Sequence, residues 1–332
     1  MTRGETNLQD APLPGYRAVR ENVGVLDCPE DLVLSLKGED RRTWLHGQVT
    51  NDVLGVHQGG STALSVLKPT GQIVANGRLW NAPESLVLVF PHTPPHPLLE
   101  RLEMMIILED VHVDNLSGEH DIVSVQGPKA TEALSEALSL PMLDWGEAQV
   151  GDTDIVLLRH DRTGEGGWDL LFPRSARVEI EALLAHLPLV TEQEANLLRL
   201  EAGIPMRGRD YGEKTLAMEM GQPFIEERLN FHKGCYTGQE VVERIRSRGH
   251  TNRTWVGLRC EGLVEAGAQL KLAEDTADAL AGDDVGQVTS AALSPLFGPI
   301  AAAMVRNVAA RPGTPLLAGE TLCMVQSLPF LK

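Results

Sequence analysis

Asn230-Phe231-His232-Lys233-Gly234-Cys235-Tyr236-Thr237-Gly238-Gln239-Glu240 is the stretch on which the reading of the chain turns. A cysteine stands two residues after a lysine, just before a helix start. Thr237 and Glu240 have the Thr-x-x-Glu spacing of a capping box, in which hydroxyl and carboxylate satisfy free backbone N–H groups. Val241, Val242 and Ile245 continue as an apolar stripe at helical spacing, and Gly249 supplies a stop. In an extended lead-in, alternation places Lys233 and Cys235 on one side. An ammonium and a helix N-terminus both favour thiolate over a thiol of ordinary pKa, about 8.5. Cys235 and Lys233 are therefore the candidate catalytic pair. The competing reading is a structural cysteine buried beside a helix cap.

Outward from this stretch, 332 residues imply two or three domains. With 42% hydrophobic and 23% charged residues, the composition is that of a soluble globular protein. No apolar run reaches the roughly 18 residues of a membrane span. Met1 to Pro14 is polar and carries acids, which reads as a loose tail and not as an export signal. The four cysteines, Cys28, Cys235, Cys260 and Cys323, form no Cys-x-x-Cys pair, so no metal site is expected, and reduced thiols in the cytoplasm are. A net charge of -17 argues against a direct nucleic-acid partner. Between Arg228 and Arg253, six Lys/Arg stand against two acids, a local basic patch suited to a small anion.

In chain order, Leu32, Leu34 and Leu36 alternate as a strand, and Glu39 to Gln48 reads as a helix with Trp44 and Leu45 inward. Ser61–Leu67 and Gln72–Trp80 flank the Pro69-Thr70-Gly71 turn as a hairpin, and Leu86–Phe90 is a further strand. The prolines from Pro91 to Pro97 break the chain there. His92 and His96 consequently read as non-helical and not as a metal pair. A helix over Leu98–Ile107 and a strand from Val111 follow. A second unit starts near Asp121, with strands at Ile122–Val125, Asp154–Arg159 and Trp168–Phe172 and helices over Lys129–Ala137 and Ser175–Leu187. A helix over Glu192–Ala202 ends at Gly203 and leads into a polar, glycine-rich loop, Arg207 to Thr215. After Gly249, five or six short strands suggest a small closed barrel, with Cys260 and Cys323 in its core. The fold class is α+β. Neither a phosphate-binding loop nor a dinucleotide fingerprint is present.

Lys233-Gly-Cys-Tyr-Thr-Gly-Gln-Glu240 resembles the signature of the YgfZ family of folate-binding proteins, which is related to the aminomethyltransferase of the glycine cleavage system, the T-protein. Three weaker motifs stand in the expected order. They are Leu36-x-Gly38-x-Asp40-Arg41-x-x-x-Leu45-x-Gly47-Gln48-x-Thr50-Asn51-Asp52, Leu200-Glu-Ala-Gly-Ile-Pro205 and Gly286-x-Val288-Thr289-Ser290. The resemblance implies a three-domain cloverleaf around a channel that binds tetrahydrofolate, and a role in making or maintaining iron-sulfur enzymes. It divides the chain into a flexible tail at 1–20, a first folate-binding part at 21–120, a second α+β domain at 121–190, a return segment at 191–250 and a C-terminal β-barrel at 251–332.

The same resemblance places Asn76 where the T-protein has an aspartate that assists folate amine chemistry. A neutral amide is no general base. Asp210, Glu213 and Glu219 keep acids of the T-protein loop, and a carboxylate suits the N–H edge of a pterin, with Glu213 favoured. Arg207 stands where the T-protein has a tyrosine. Gln239 and Arg244 join the cofactor-binding set, Arg244 with Arg246 and Arg248 as attractors of the folate glutamate tail. Iron-sulfur clusters typically take four cysteines, so Cys235 needs a client or assembly protein, or a small thiol, as partner. Three functions follow as expectations. The leading one is a tetrahydrofolate-binding accessory protein for iron-sulfur enzymes. The second is a folate-dependent aminomethyltransferase or demethylase, and the third a folate-binding sensor without chemistry.

Overall fold

The computed structural model describes residues 13–140, 143–274 and 280–331. The chain opens with α1 (Pro14–Glu21) and β1 (Gly24–Asp27); the first body then holds β2 (Leu32–Lys37), α2 (Arg41–Gln48), the hairpin β3 (Ser61–Leu67) and β4 (Ile73–Asn81), β5 (Leu86–Phe90), α3 (Pro95–Met104) and β6 (His112–Asn115). Its antiparallel sheet runs β3-β4-β5-β2-β6. The second body holds β7 (His120–Gln126), α4 (Ala130–Ser135), β8 (Trp145–Val150), β9 (Thr153–Arg159), β10 (Gly167–Pro173) and α5 (Arg177–Leu184), with strand order β1-β7-β10-β9-β8. Next come α6 (Glu192–Glu201), α7 (Gln222–Arg228) and α8 (Gln239–Arg248). A closed barrel completes the chain: β11 (Arg253–Cys260), β12 (Gln269–Leu272), β13 (Asp284–Ser294), β14 (Gly298–Arg306), β15 (Pro315–Ala318) and β16 (Thr321–Gln326).

The near-continuous apolar runs of β2 and β5 have a simple cause: both faces are covered. Leu34, Leu36, Leu86, Leu88 and Phe90 enter one core beneath α2 and α3. Val33, Val87 and Val89 face the other way, against Ile122, Leu158 and Leu171 of the second sheet. Trp80 and Phe90 are completely buried. A separate central core joins α1, α6, the hairpin turn, the 207–236 segment and the barrel through Tyr16, Leu198, Ile73, Tyr211, Tyr236 and Trp255. This core holds the three bodies around the return segment. The architecture is thus α+β with a closed six-stranded barrel, as expected from the sequence.

Four local expectations change. Pro14–Glu21 is a helix, not part of a tail; residues 1–12 lie outside the described set. Tyr16 and Val19 are buried against α6, and the Arg20 guanidinium pairs with the fully buried Glu201 carboxylate at 2.5 Å. Thr191 and Glu194 cap α6 reciprocally, and Glu194 also accepts from the Gly15 and Tyr16 N–H groups, so it fixes both helices. Second, β1 pairs with β7, not with the first sheet, so a boundary at 120/121 does not separate the two bodies. Third, α3 starts at Pro95, so His96 and Pro97 are helical. The first turn of a helix has no intrahelical use for its N–H groups, so proline costs nothing there. Fourth, β8 and β15 are strands beyond those the sequence pattern predicts. Among the described residues no group of His, Cys, Asp and Glu forms a metal cluster, and no helix is long and apolar enough to cross a membrane.

Candidate functional site

The Asn230–Glu240 stretch is pinned to the end of α2 and to the β3–β4 hairpin. The Asn230 side-chain oxygen accepts from the N–H groups of His232 and Lys233, which turns the backbone and ends any extended lead-in. Lys233 and Cys235 therefore do not share one face of an extended strand. The Lys233 ammonium instead donates to three carbonyls, of His46 at 2.5 Å, Val49 at 2.7 Å and Asn51 at 2.9 Å. These are acceptors at and beyond the C-terminus of α2, where the helix dipole favours a cation. Its three protons are committed, so it serves as a clamp and not as a thiolate partner. Burial pushes its pKa down to about 8, with Asp52 opposing. The Thr237 N–H donates to the Gly47 carbonyl at 3.2 Å. Cys235, between these two anchors, is exposed.

The capping box is absent as well. The N-cap of α8 is Gly238, at φ +87°, with no side-chain cap. A Cβ there would lie 2.7 Å from the Lys68 carbonyl oxygen, so the motif glycine is required both by its left-handed backbone and by close approach to the hairpin turn. On the other side of that turn, Gly71 meets Val241 of α8. Gln239 is the first residue of α8, half-buried, and Arg244 is exposed on the same helix. Of the basic patch, Arg246 lies over the Phe231 ring at 4.3 Å, and Arg253 pairs with Glu219; the Arg248 side chain lies outside the described set.

The 207–215 loop docks on the start of β4. Ile73 N–H donates to the Thr215 carbonyl, Ala217 N–H to the Gly71 carbonyl, and Arg207 reaches the Val74 carbonyl at 2.7 Å. Arg207 therefore braces the loop. Asp210 has a structural task as well. Its buried carboxylate accepts from Arg199 at 2.5 Å, Thr289 at 2.6 Å, Ser290 at 2.8 Å and the Met206 N–H. With every oxygen engaged, it ties α6 and the loop to the barrel and has no capacity for a pterin. Glu219 is likewise used, by Arg253 and the Leu216 N–H. Glu213 alone of the three acids is exposed, 3.8 Å from Lys68.

Asn76 is buried, and its side-chain oxygen accepts from Ser65 Oγ at 2.7 Å. Its Nδ2 is buried without a partner. The Tyr211 hydroxyl, raised in pKa by burial, is near enough to feel this amide, but no hydrogen bond of normal geometry satisfies the Nδ2. Arg228 reaches the Leu64 and Gly77 carbonyls, on either side of Ser65 and Asn76, and leaves its Nε unpartnered. Tyr236 is buried with its hydroxyl unpartnered, and burial pushes its pKa up to about 12. Unsatisfied buried polar atoms are costly and call for an explanation. Here the hairpin, α7 and the motif each contribute one. A cavity of about 510 Å³, bordered by Asp210, Tyr211, Thr215, Arg253, Thr289 and Met304, lies between the same loop and the barrel.

His46 carries no local signal of a role in the sequence. It sits in the last turn of α2, with Nδ1 3.4 Å from Asp52 and Nε2 3.9 Å from where a Gly234 Cβ would stand. Burial and the Lys233 ammonium lower its pKa, with Asp52 opposing, which keeps the imidazole neutral near pH 7. His46 and Asp52 both lie within the Leu36–Asp52 motif, but only the fold brings them to the cysteine loop.

Residues 5–226 match the family described as the GCVT N-terminal domain. The chain is similar to a probable aminomethyltransferase from Natronomonas pharaonis, 27% identical over 96% of this chain and 90% of that protein. It is similar also to an aminomethyltransferase from Cutibacterium acnes, 28% identical over the same shares. The glycine cleavage system aminomethyltransferase T of Bartonella henselae shares the fold, with a TM-score of 0.79 at 24% identity over 96% of this chain and 89% of that one.

Proposed function

The chain belongs to the family of the GCVT N-terminal domain, and from that premise we propose that it binds tetrahydrofolate and acts through Cys235 as an accessory protein for iron-sulfur enzymes in the cytoplasm. The observation that carries the reading is Asn76. On the strand that borders the folate loop, the side chain is a neutral amide with a free, buried N–H group. It donates to a ligand but takes no proton from one. The chemistry of the side chains suits a pterin: Asn76, Arg228 and Tyr236 offer unsatisfied polar atoms, and Glu213 would be the loop carboxylate that accepts from its N–H donors. Bound folate would supply a one-carbon acceptor or donor; the chain's own residues bind and orient it. Cys235, exposed at the mouth of the motif loop, is accessible to a client protein or a small thiol.

A second reading is a folate-dependent aminomethyltransferase or demethylase. The names of the relatives support it more directly than they support the iron-sulfur role. Against it stands the amide at position 76. Calorimetric titration with tetrahydrofolate tests the shared premise. Saturable one-to-one binding, equal in Cys235→Ser, is expected, and absence of binding removes both readings. Complementation of a strain lacking its own such protein separates them. Cys235→Ser should fail to restore iron-sulfur enzyme activity. If it restores activity as fully as the unaltered chain, or if the purified protein turns over a methylamine donor in a Glu213-dependent way, the second reading replaces the first.

A further inference from the structure

Cys260 closes β11, the first strand of the barrel, and Cys323 lies on β16, the last. They are directly opposite in the antiparallel register of these two strands. The next pair, Glu261 and Leu322, is hydrogen-bonded, N–H to carbonyl at 2.9 Å. Because bonded and non-bonded pairs alternate along an antiparallel ladder, Cys260 and Cys323 occupy a non-hydrogen-bonded pair, the type in which Cα atoms come to about 4.5 Å and side chains are closest. That separation falls within the range a disulfide spans, about 4.4–6.8 Å. Both side chains are buried in the barrel core, Cys323 fully and Cys260 with 8% exposure. The two thiols are close enough to perturb each other's ionisation, and the Cys323 thiol donates to the Thr321 carbonyl at 3.7 Å. Both are free thiols.

We propose that Cys260 and Cys323 are an oxidation site: a hydroperoxide converts them to a disulfide that staples the first strand of the barrel to the last, and a dithiol reductant reverses it. One thiol loses its proton and attacks a peroxide oxygen. An S–O bond forms, the O–O bond breaks, and hydroxide leaves and takes up that proton as water. The neighbouring thiolate attacks the resulting sulfenic sulfur. An S–S bond forms, and the oxygen departs as a second water with the second thiol's proton. The cysteine pair loses two electrons and the peroxide gains them. The pair is already directly opposite in register, at a spacing a disulfide spans, so the second step needs no strand slip. This outcome is independent of what Cys235 does, because the barrel pair lies in a different core from the motif loop.

The experiment treats the reduced full-length chain with hydrogen peroxide, blocks remaining thiols under denaturing conditions, and maps peptides without reduction. The expected result is a loss of two mass units and a peptide linking Cys260 to Cys323. Dithiothreitol should abolish the link, and Cys323→Ser should prevent it. Peptide mapping reads the site directly, so the conclusion does not depend on a variant folding. Recovery of both residues as free thiols, their separate oxidation to sulfinic acids, or a link from either one to Cys28 or Cys235 would each overturn the proposal.

Discussion

Replacing Lys233 by methionine separates two roles for the motif lysine. Its ammonium makes three hydrogen bonds to carbonyls, all between 2.5 and 2.9 Å. Hydrogen bonds to charged groups contribute about 1.5–3 kcal/mol each before offsets. Two offsets apply. Burial already disfavours the charged form, which is why the group titrates near 8, and the methionine stem keeps the packing near the Tyr236 ring, over which the ammonium sits at 5.1 Å. A net loss of about 2–4 kcal/mol follows, and for a chain this long that corresponds to a fall in melting midpoint of roughly 3–6 °C. Arginine should not rescue it, because a planar fork does not match three carbonyls converging on one nitrogen. The assay is thermal unfolding beside peptide-resolved alkylation of Cys235 by iodoacetamide. Alkylation in the folded state should change less than about threefold, since a committed ammonium contributes little to thiolate formation. An unchanged midpoint with alkylation slowed tenfold would refute the clamp and reinstate the lysine as the thiolate's partner.

Asp210→Asn should lose about 3–5 kcal/mol of stability, seen as a lower urea midpoint, because it leaves the buried Arg199 guanidinium uncompensated. Gly238→Ala should cost about 2–4 kcal/mol through its left-handed backbone and the clash with the Lys68 carbonyl; a neutral outcome would show that the hairpin turn moves freely. Stability should fall in acid in two windows. Burial lowers the pKa of His160 despite Asp169, so its contribution is present above about 6.5 and lost as pH drops through that range. Burial alone would raise Asp169, but Arg162 and His160 outweigh it and hold the carboxyl well below the usual range, so its contribution is lost only below about pH 4. Urea midpoints at pH 7, 5.5 and 3.5 check both, and the lower window should vanish in Asp169→Asn.

The hairpin, the outer strands and most of the barrel were legible because alternation, turn residues and β-branched runs are local signals. The central cysteine loop was not, because its geometry is set at long range. Thr237-x-x-Glu240 has the right spacing for a cap, yet contact with Lys68 forces the left-handed turn one residue later. Lys233 follows acceptors nearly two hundred residues away in sequence. Asp210 looked like a ligand-binding acid because Thr289 and Ser290, its partners, come from the barrel. Pro14–Glu21 read as a tail because an eight-residue helix is not stable alone; burial of Tyr16 and Val19 against α6 makes it one.

The pairing of β1 with β7 has a consequence for biosynthesis. The whole first sheet is an insertion between two neighbouring strands of the second. On the ribosome, Asp27 emerges long before its partner Val123. At typical synthesis rates of about 5–20 residues per second, β1 waits on the order of five to twenty seconds for its neighbour. During that interval the inserted body can complete its own five strands while an unpaired, apolar edge hangs from its N-terminal end. The order of appearance makes the inserted body the first folded surface on which the remainder assembles, and makes Gly24–Asp27 the segment that a holding chaperone would have to cover.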